Sequence, residues 1–563
     1  MTQLSNNLTP SQDLPLKIIP LGGIGEIGLN MTLFQWGEDI LVVDCGLMFP
    51  DAEMLGVDIM IPDMRYIQEN RQKIRGLVLT HGHEDHIGAI PYFLREVNPP
   101  IYGTPLTLGL VAEKFREHEL PEDPKLFPIQ PKDTVQLGAF TVEFIQVTHS
   151  IVGGVGLGIT TPVGRVVHTG DFKIDHTPVD GKVPDLSTFG EYGRKGTLAL
   201  LSDSTNAERK GFTPSESEVG KAFQDVFAQA PGRIIIATFA SNIHRIQQAV
   251  NAAVRTNRKV CLNGKSMVNN AAIALQLGYL HIPKDVWLEM DDIQNLPDQQ
   301  VVLITTGSQG EPMSSLFRMS TGEHKQFQVH DGDTIILSSR VIPGNERAIG
   351  RVINNLFRQG AKVIYERVSD IHVSGHASQE ELKLMINLVK PTFFIPVHGE
   401  YRHLVHHSIL AEQLQIPKDR IFILEDGDIL ELTKDKGMRI GQVPAGRIYI
   451  AGKGQGPMDE VTIKDRQRLG RDGLLIVLLR VNKKTWELTH TPELFSMGFM
   501  SEEESPEVLE DLKRHIRETF ESVIEELKED ENALKTRIRN SLRKFLFKNL
   551  ERRPIVIPIL LDQ

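Results

Sequence analysis

Residues 80–90 read THGHEDHIGAI, which places His81, His83, Asp85 and His86 within six positions. Side chains alternate along an extended chain, so His81 and His83 point the same way and one cation can hold both. Asp85 and His86 follow after the chain turns and can face a second cation. Gly82 and Gly88 let the backbone wrap closely. Imidazole and carboxylate suit Zn²⁺ or Mn²⁺, and two such ions about 3.5–4 Å apart make a hydrolytic pair. Such a pair needs about three more protein ligands. His149 in FIQVTHS, Asp171 in VVHTGDF and His398 in FFIPVHGE each follow an apolar run. Taken singly, any of these could be an ordinary loop residue; their shared placement after strands makes them candidates.

The strand candidates of the first part are LKIIPLGG, DILVVDCG, GLVLTHGH, FTVEFIQVTHS, GIGLGITTPVGRVVHTGD and TLALLSDST. Several end at an ionisable residue: Asp44, His81, His149, Asp171 and Asp203. Strand ends along one rim of a sheet are where α/β enzymes build their sites. From about residue 213 the period changes. TPSESEVGKAFQDVFAQA is expected to be a helix with Thr213 or Ser215 as N-cap and Glu218 three residues beyond Ser215. Repeated strand–helix units follow and indicate a Rossmann-like parallel-sheet insert. PTFFIPVHGE and RIFILEDGDILEL then return to short strands. The glycine-rich AGKGQGPMD (451–459) reads as a linker. The last hundred residues read strand–strand–helix–helix–strand. Their helical part is acidic over 501–531 and basic over 535–553, which fits two solvated helix faces. The expected domains are 1–212 and 369–448 for one split domain, 213–368 for its insert, 449–460 for the linker and 461–563 for a small α+β domain.

The chain has 563 residues, enough for two to four domains. A net charge of −11 excludes a wholly basic nucleic-acid binder, so a polyanionic substrate would need a local basic channel. Cys45 and Cys261 have no metal-knuckle spacing and fit a reducing cytosol. The polar N-terminus has no apolar signal core, and runs such as LLIVLL are too short to span a membrane.

Two stretches offer phosphate seats. In TFASNIHRIQQ, Ser241 and Asn242 close a strand and open a helix, whose free N–H groups together with Arg245 could hold a phosphate; plain N-capping is the alternative. In HVSGHAS, His372, Val373, Ser374 and Gly375 lead to His376 in a small-residue loop that can approach a phosphate closely. TTGSQGEP lacks the G-K-[ST] of a P-loop, so nucleotide triphosphate binding is not supported.

HGHEDHIG, preceded by VVDCG and followed by THS, TGD and PVHGE, resembles the metallo-β-lactamase superfamily. The inserted block, with LSDSTN before it and HVSGHAS after it, resembles the β-CASP nucleic-acid-processing branch. PLGGIGEIGLNM, LSDSTNAERKGFTPSE, TFASNIHRIQQ, TGSQGEP, RVIPGNE and RRPIVIPILLDQ bring it closest to the bacterial ribonuclease J family over nearly the whole chain. The resemblance implies an αββα sandwich with an inserted β-CASP domain and a C-terminal oligomerisation domain. It implies two divalent metals, zinc first with manganese or magnesium as alternatives. His81, His83 and His149 would hold one, and Asp85, His86 and His398 the other. Asp171 would bridge them, and Asp44 would orient the HGHEDH loop. Asp85 counts among the catalytic groups, with His376 as proton donor to the departing 3′-oxygen and Asp203 orienting it. The residues 372–376, with Ser241, Asn242 and Arg245, would hold RNA, and a nearby pocket would read a 5′-monophosphate. None of the seven ligand positions, nor Asp44, departs from the family pattern.

The expected function is therefore a two-metal ribonuclease, a 5′-to-3′ exonuclease with some endonuclease action in mRNA decay and RNA maturation. The expected partners are RNA, further copies of the chain as homodimer or homotetramer, and other RNA-decay proteins. A small-ester or thioester hydrolase and a non-catalytic RNA-binding scaffold are the rival readings, with DNA as the substrate a third. The inserted domain argues against the first and the full set of ligand positions against the second.

Overall fold

In Phe140–Gln146 the sequence FTVEFIQ buries Phe140, Val142 and Phe144, while Thr141, Glu143 and Gln146 are only half-buried. That alternation is the signature of a strand with one face on a core. The computed structural model describes residues 14–51, 54–342, 344–366, 371–452, 457–458, 460–499, 506–528 and 530–562. It divides into two units, 14–49 with Met60–Ile448, and a second formed by Pro50–Ile59 with the residues from Tyr449 onward.

The first unit contains a mixed eight-stranded sheet. Its order is Gly437–Gln442, Asp428–Leu432, Leu16–Gly22, Met31–Trp36, Asp39–Val43, Ile74–Val78, Ile101–Gly103 and Leu126–Pro128. A six-stranded sheet runs Pro391–Val397, Thr197–Asp203, Arg165–His168, Val155–Thr160, Phe140–Gln146 and Thr134–Leu137. Their inner faces meet in one core, where Ile18, Phe34 and Leu41 of the first pack with Phe144, Leu157, Leu201 and Ile395 of the second. On its other face, the second sheet buries Ile145, Val167, Leu200 and Phe394. Phe189, Leu382, Met385 and Leu410, from the helices Leu186–Lys195, Gln379–Val389 and Tyr401–Gln413, cover that face. Thr197–Asp203 is buried at every position because it has sheet neighbours on both edges and packing on both faces.

Between Asp203 and Pro391 the chain makes a separate five-stranded parallel sheet. Its order is Lys259–Asn263, Val301–Thr305, Ile234–Ala237, Thr334–Leu337 and Lys362–Ile364. Its strands are aliphatic runs, as strands covered on both sides by helices must be. Thr197–Asp203 and Pro391–Val397 are parallel neighbours, with Asp203 opposite Val397. Because the two strands are parallel, the chain leaves the sandwich at the Asp203 end, returns beside it at His376, whose carbonyl accepts from Asn206 Nδ2 at 2.9 Å, and is carried by the helix Gln379–Val389 to the opposite end, where Pro391 pairs with Thr197.

Two local expectations change, and a third falls mostly outside the described residues. The helix starts at Ser217 with Glu216 in the N-cap position: the Thr213 hydroxyl is bonded to the His376 carbonyl and Ser378, and Ser215 lies one residue before the cap. Pro50–Ile59 joins the second unit, away from the expected 1–212 block: Asp58 N–H donates to the Ile450 carbonyl at 2.9 Å and its carboxylate accepts from Gly452 N–H at 2.6 Å. The stretch 451–459 read as a linker lies largely outside the described residues.

In the second unit Leu474–Asn482 pairs with Glu493–Met497 on one edge and Ile555–Asp562 on the other. Leu475, Val477, Leu479 and Val481 pack on Leu512, Ile516, Phe520, Leu534, Ile538 and Leu542 of the helices Pro506–Leu527 and Glu531–Leu550. A preceding helix, Glu460–Asp472, was not expected from the sequence. It carries only Val461, Ile463 and Leu469 as large apolar side chains, too few for a helical stripe.

Phe144 is fully buried between the two sheets. Phe144→Ala is expected to lose about 3–5 kcal/mol, seen as an earlier denaturation midpoint, with Phe144→Leu losing much less.

Candidate metal centre and catalytic site

The strand Ile74–Val78 delivers His81 and His83, and the one-turn helix Glu84–Ile87 carries Asp85 and His86. His149 follows Phe140–Gln146, Asp171 follows Arg165–His168, Asp203 ends Thr197–Asp203 and His398 follows Pro391–Val397. All lie on one rim. Two of the turns are strained: Asp44 and His398 both have positive φ, 60° and 53°. Such a conformation costs a non-glycine residue about 1–3 kcal/mol and persists only where the surroundings enforce it.

His83 Nδ1 lies 3.0 Å from His81 Nε2 and 3.1 Å from His149 Nε2. One proton can satisfy one of these contacts, whereas a cation among the three nitrogens satisfies all. Asp171 Oδ2 stands 3.7 Å from both His81 Nε2 and His149 Nε2. Three imidazoles and a carboxylate are a donor set that suits zinc or manganese. The second group joins the same Asp171 to Asp85, His86 and His398. Asp171 Oδ2 is 3.3 Å from His86 Nε2, and Asp85 Oδ2 is 3.2 Å from His398 Nε2. The seven residues expected as ligands thus form two adjoining clusters that share Asp171.

Neighbours fix the imidazoles. His86 Nδ1 meets Asp44 Oδ2 at 2.8 Å, and Asp44 also accepts from the Thr80 N–H and hydroxyl, both at 2.8 Å. His149 Nδ1 donates to the Gly375 carbonyl at 2.8 Å. These bonds turn Nε2 of each ring toward the cluster, the usual arrangement for ligand histidines. His376 Nδ1 is 2.8 Å from Asp203 Oδ2. His398 Nδ1 has the Thr205 hydroxyl at 2.8 Å.

The two clusters differ electrostatically. Burial drives His81 and His149 well below the ordinary imidazole range, and brings His83 down to about 4. Burial acts on His86 and His398 in the same sense, but carboxylates outweigh it. Asp171, Asp85 and Asp44 raise His86 well above its usual value, and Asp171 with Asp203 and Asp85 takes His398 to about 10. Burial would likewise raise Asp85 and Asp203, yet the facing imidazoles hold both far below the usual carboxylate range. His376 is raised, with Asp203 outweighing burial.

The phosphate-seat expectations fare unevenly. Asn242 is the N-cap of Ile243–Arg255, its Oδ1 accepting from Arg245 N–H at 3.0 Å, and Ser241 is half-buried just before it. Arg245 is withdrawn from the set. Its side chain is fully buried, with Nε and Nη2 on the Glu216 carboxylate at 2.6 and 2.9 Å and Nη1 on Ser338. With four of its five N–H donors engaged in this way inside the core, the guanidinium is not presented to a ligand. Gly375 has a different reason to be small: a Cβ there would lie 2.7 Å from the His149 ring. Ser374 Oγ accepts from Asn206 Nδ2 at 2.8 Å and from His376 N–H at 3.2 Å, which leaves its own proton free to donate. Val373 is buried. His372 Nδ1 has no hydrogen-bond partner among the described residues; burial, then Arg245 and Arg340, keep this ring deprotonated. Thr80, Thr205 and Asn206 were not singled out from the sequence, although Thr205 and Asn206 lie in the quoted LSDSTN. Nor was Asn30, whose Nδ2 donates to the Asp85 carbonyl at 3.0 Å.

Curated relatives match along nearly the whole chain. Ribonuclease J of Helicobacter pylori is 41% identical over 96% of this chain and 79% of its own length. Ribonuclease J of Thermus thermophilus is 43% identical over 97% and 95%, and Ribonuclease J2 of Bacillus subtilis 40% identical over 97% and 98%. The chain belongs to the ribonuclease J family. Family models agree along the sequence: metallo-beta-lactamase superfamily over 25–205, ribonuclease J beta-CASP domain over 231–356, Zn-dependent metallo-hydrolase RNA specificity domain over 360–421 and ribonuclease J C-terminal domain over 461–563. The αββα sandwich with a β-CASP insert is thus the ribonuclease J architecture. A crystal structure of a protein of unknown function from Enterococcus faecalis V583 shares the fold over 74% of this chain and all of its own, at TM-score 0.54 and 17% identity.

Two outcomes follow from this geometry. His86 and His398 hold protons near neutral pH that a cation must displace, while His81, His83 and His149 do not. Titrating the apoprotein with Zn²⁺ in buffers of different ionisation enthalpy is expected to show one binding step with little proton release and one releasing about two protons. The second step weakens as pH falls from 8 toward 6. Separately, a Cβ on Gly46 would lie 1.6 Å from the Asp85 carbonyl oxygen. Gly46→Ala is expected to displace the loop and weaken metal binding, measured by metal content after dialysis.

Proposed function

We propose that this chain cuts RNA phosphodiesters at a two-metal centre, mainly as a 5′-to-3′ exonuclease that prefers a 5′-monophosphate, with additional endonuclease action. As a ribonuclease J family member it is a metal-dependent nuclease acting on RNA. The observation that carries the reading is the pair of ligand clusters sharing Asp171, with the Asp203–His376 pair beside them. His81, His83 and His149 would hold one divalent cation, and Asp85, His86 and His398 the other, Zn²⁺ first and Mn²⁺ or Mg²⁺ as alternatives. When bound, such a pair supplies charge neutralisation at the phosphate and acidity to a water.

The chain's own groups do the rest. Asp203 accepts from His376 Nδ1–H and keeps the ring protonated, so the Nε2 proton is the one available to the departing 3′-oxygen. Asp44, with Thr80, holds His86 in one orientation, and the Gly375 carbonyl does so for His149. His372 and Ser374, with Ser241 and Asn242 nearby in the insert, are the proposed contacts to the RNA backbone. Self-association as a dimer or tetramer fits the second unit, whose strands expose Phe495, Met497, Ile557 and Leu561. A cytoplasmic setting suits the free, buried Cys45 and Cys261. Among the described residues no helix is long and apolar enough to cross a membrane.

The test uses RNA carrying either a 5′-monophosphate or a 5′-triphosphate, and bis(p-nitrophenyl) phosphate as a diester whose leaving group needs no proton. His376→Ala is expected to lower kcat on RNA by about 10²–10⁴ and to cost far less on the nitrophenyl ester. Mononucleotides released mainly from the monophosphorylated RNA support the exonuclease reading. Equal internal cutting of both RNAs would remove the 5′-end pocket, and activity on thioesters but not RNA would overturn the reading.

A further inference from the structure

We infer that Glu381 is a positioning residue that sets the metal-ligand loops and the His376 loop in register with one another; this rests on the two-metal reading above. Glu381 is fully buried in the first turn of the helix Gln379–Val389. Its partners are three backbone amides from three separate stretches of chain. Oε1 accepts from Ile174 N–H at 2.7 Å, and Oε2 accepts from Thr213 N–H at 2.7 Å and Ser378 N–H at 2.8 Å. The Ser378 bond belongs to the capping box of the helix. The other two are not needed to cap anything.

Each of those bonds reaches a segment that carries the proposed chemistry. Ile174 is three residues beyond Asp171, and its neighbour Lys173 is tied to Thr148, next to His149, by N–H to carbonyl and hydroxyl to carbonyl bonds of 2.8 and 2.7 Å. Thr213 lies on the path from Asp203 into the insert. Its hydroxyl donates to the His376 carbonyl at 2.8 Å and sits 2.9 Å from Ser378 Oγ. One carboxylate therefore fixes the spacing between Asp171 and His149 on one side and His376 on the other.

The residue type matters. No cationic side chain among the described residues pairs with Glu381, so its carboxyl oxygens are held by backbone N–H groups and the helix N-terminus alone. A carboxylate can accept at both oxygens. A glutamine accepts at one, and its NH₂ would face an N–H donor, so either Ile174 or the Thr213 and Ser378 pair must be released. Glu381→Gln thus removes the register between loops while keeping the volume of the side chain.

The experiment compares full-length wild type, Glu381→Gln, Thr213→Val and Asp185→Ala. Asp185 caps the neighbouring helix Leu186–Lys195 through Thr188 N–H and touches no part of the site, so it is the stability control. Thr213→Val keeps the N–H bonded to Glu381 but removes the hydroxyl that holds the His376 loop, and covers the case in which Glu381→Gln does not fold. Mn²⁺ binding to apoprotein is read by electron paramagnetic resonance, the melting temperature by calorimetry, and kcat and KM on 5′-monophosphorylated RNA and bis(p-nitrophenyl) phosphate. Glu381→Gln is expected to weaken Mn²⁺ binding and to lower kcat on RNA about tenfold to a hundredfold at temperatures well below its melting point, with KM nearly unchanged. Thr213→Val is expected to lower kcat on RNA more than on the nitrophenyl ester, with Mn²⁺ binding intact. Asp185→Ala should lower the melting temperature alone. The inference is overturned if Glu381→Gln and Thr213→Val behave like Asp185→Ala. A wild type inactive on both substrates would instead sink the functional reading.

Discussion

Everything at the rim depends on one carboxylate facing too many imidazoles. Asp171 stands within 3.3 to 3.7 Å of ring nitrogens from His81, His86, His149 and His398. Four rings could not be crowded around a single negative charge unless most were neutral or shared a cation. The protein distributes the burden unequally. Where Asp44 and Asp85 reinforce Asp171, as around His86, the ring keeps its proton. Where burial outweighs Asp85 and Asp171, as around His83, it does not. The sandwich supplies the rigidity this arrangement needs. Its strands stop at the same rim, and the strain at Asp44 and His398 is borne by the sheets behind them.

Much of this was legible in the sequence, because the ligands sit where period-two runs end. HxHxDH marks a turn after a strand, and His149, Asp171 and His398 each close an apolar run. The parallel insert was readable from its alternation of aliphatic strands and helical stretches. What stayed hidden were partners separated widely along the chain. Arg245 reads as a phosphate donor when only its helix start is visible; Glu216, which neutralises it, is 29 positions away. Gly375 reads as a loop allowing close approach to a ligand, whereas its missing Cβ makes room for His149, 226 positions earlier. Glu381 was not singled out from the sequence, and its bonds to Ile174 and Thr213 cannot be seen locally. The helix Glu460–Asp472 escaped for a different reason: it has almost no apolar stripe to detect.

Beside the ion pairs of this site, three buried carboxylates accept hydrogen bonds from backbone amides. Asp44 holds Thr80 N–H, Asp203 holds Thr205 N–H and Glu381 holds three amides. A backbone N–H is present on every residue but proline, so the carboxylates dictate loop shape, and the side chains those loops carry can be given over to ligand chemistry.

The pairing of Thr197–Asp203 with Pro391–Val397 has a consequence for when the protein becomes active. His398 and Asp203 are neighbours in space but 195 positions apart, with the whole insert synthesised between them. A chain still on the ribosome lacks His376, Glu381 and His398 until more than two thirds of it has been translated. A ribonuclease is made beside an RNA it could destroy. This connectivity delays assembly of its cutting centre until most of the message that encodes it has been read.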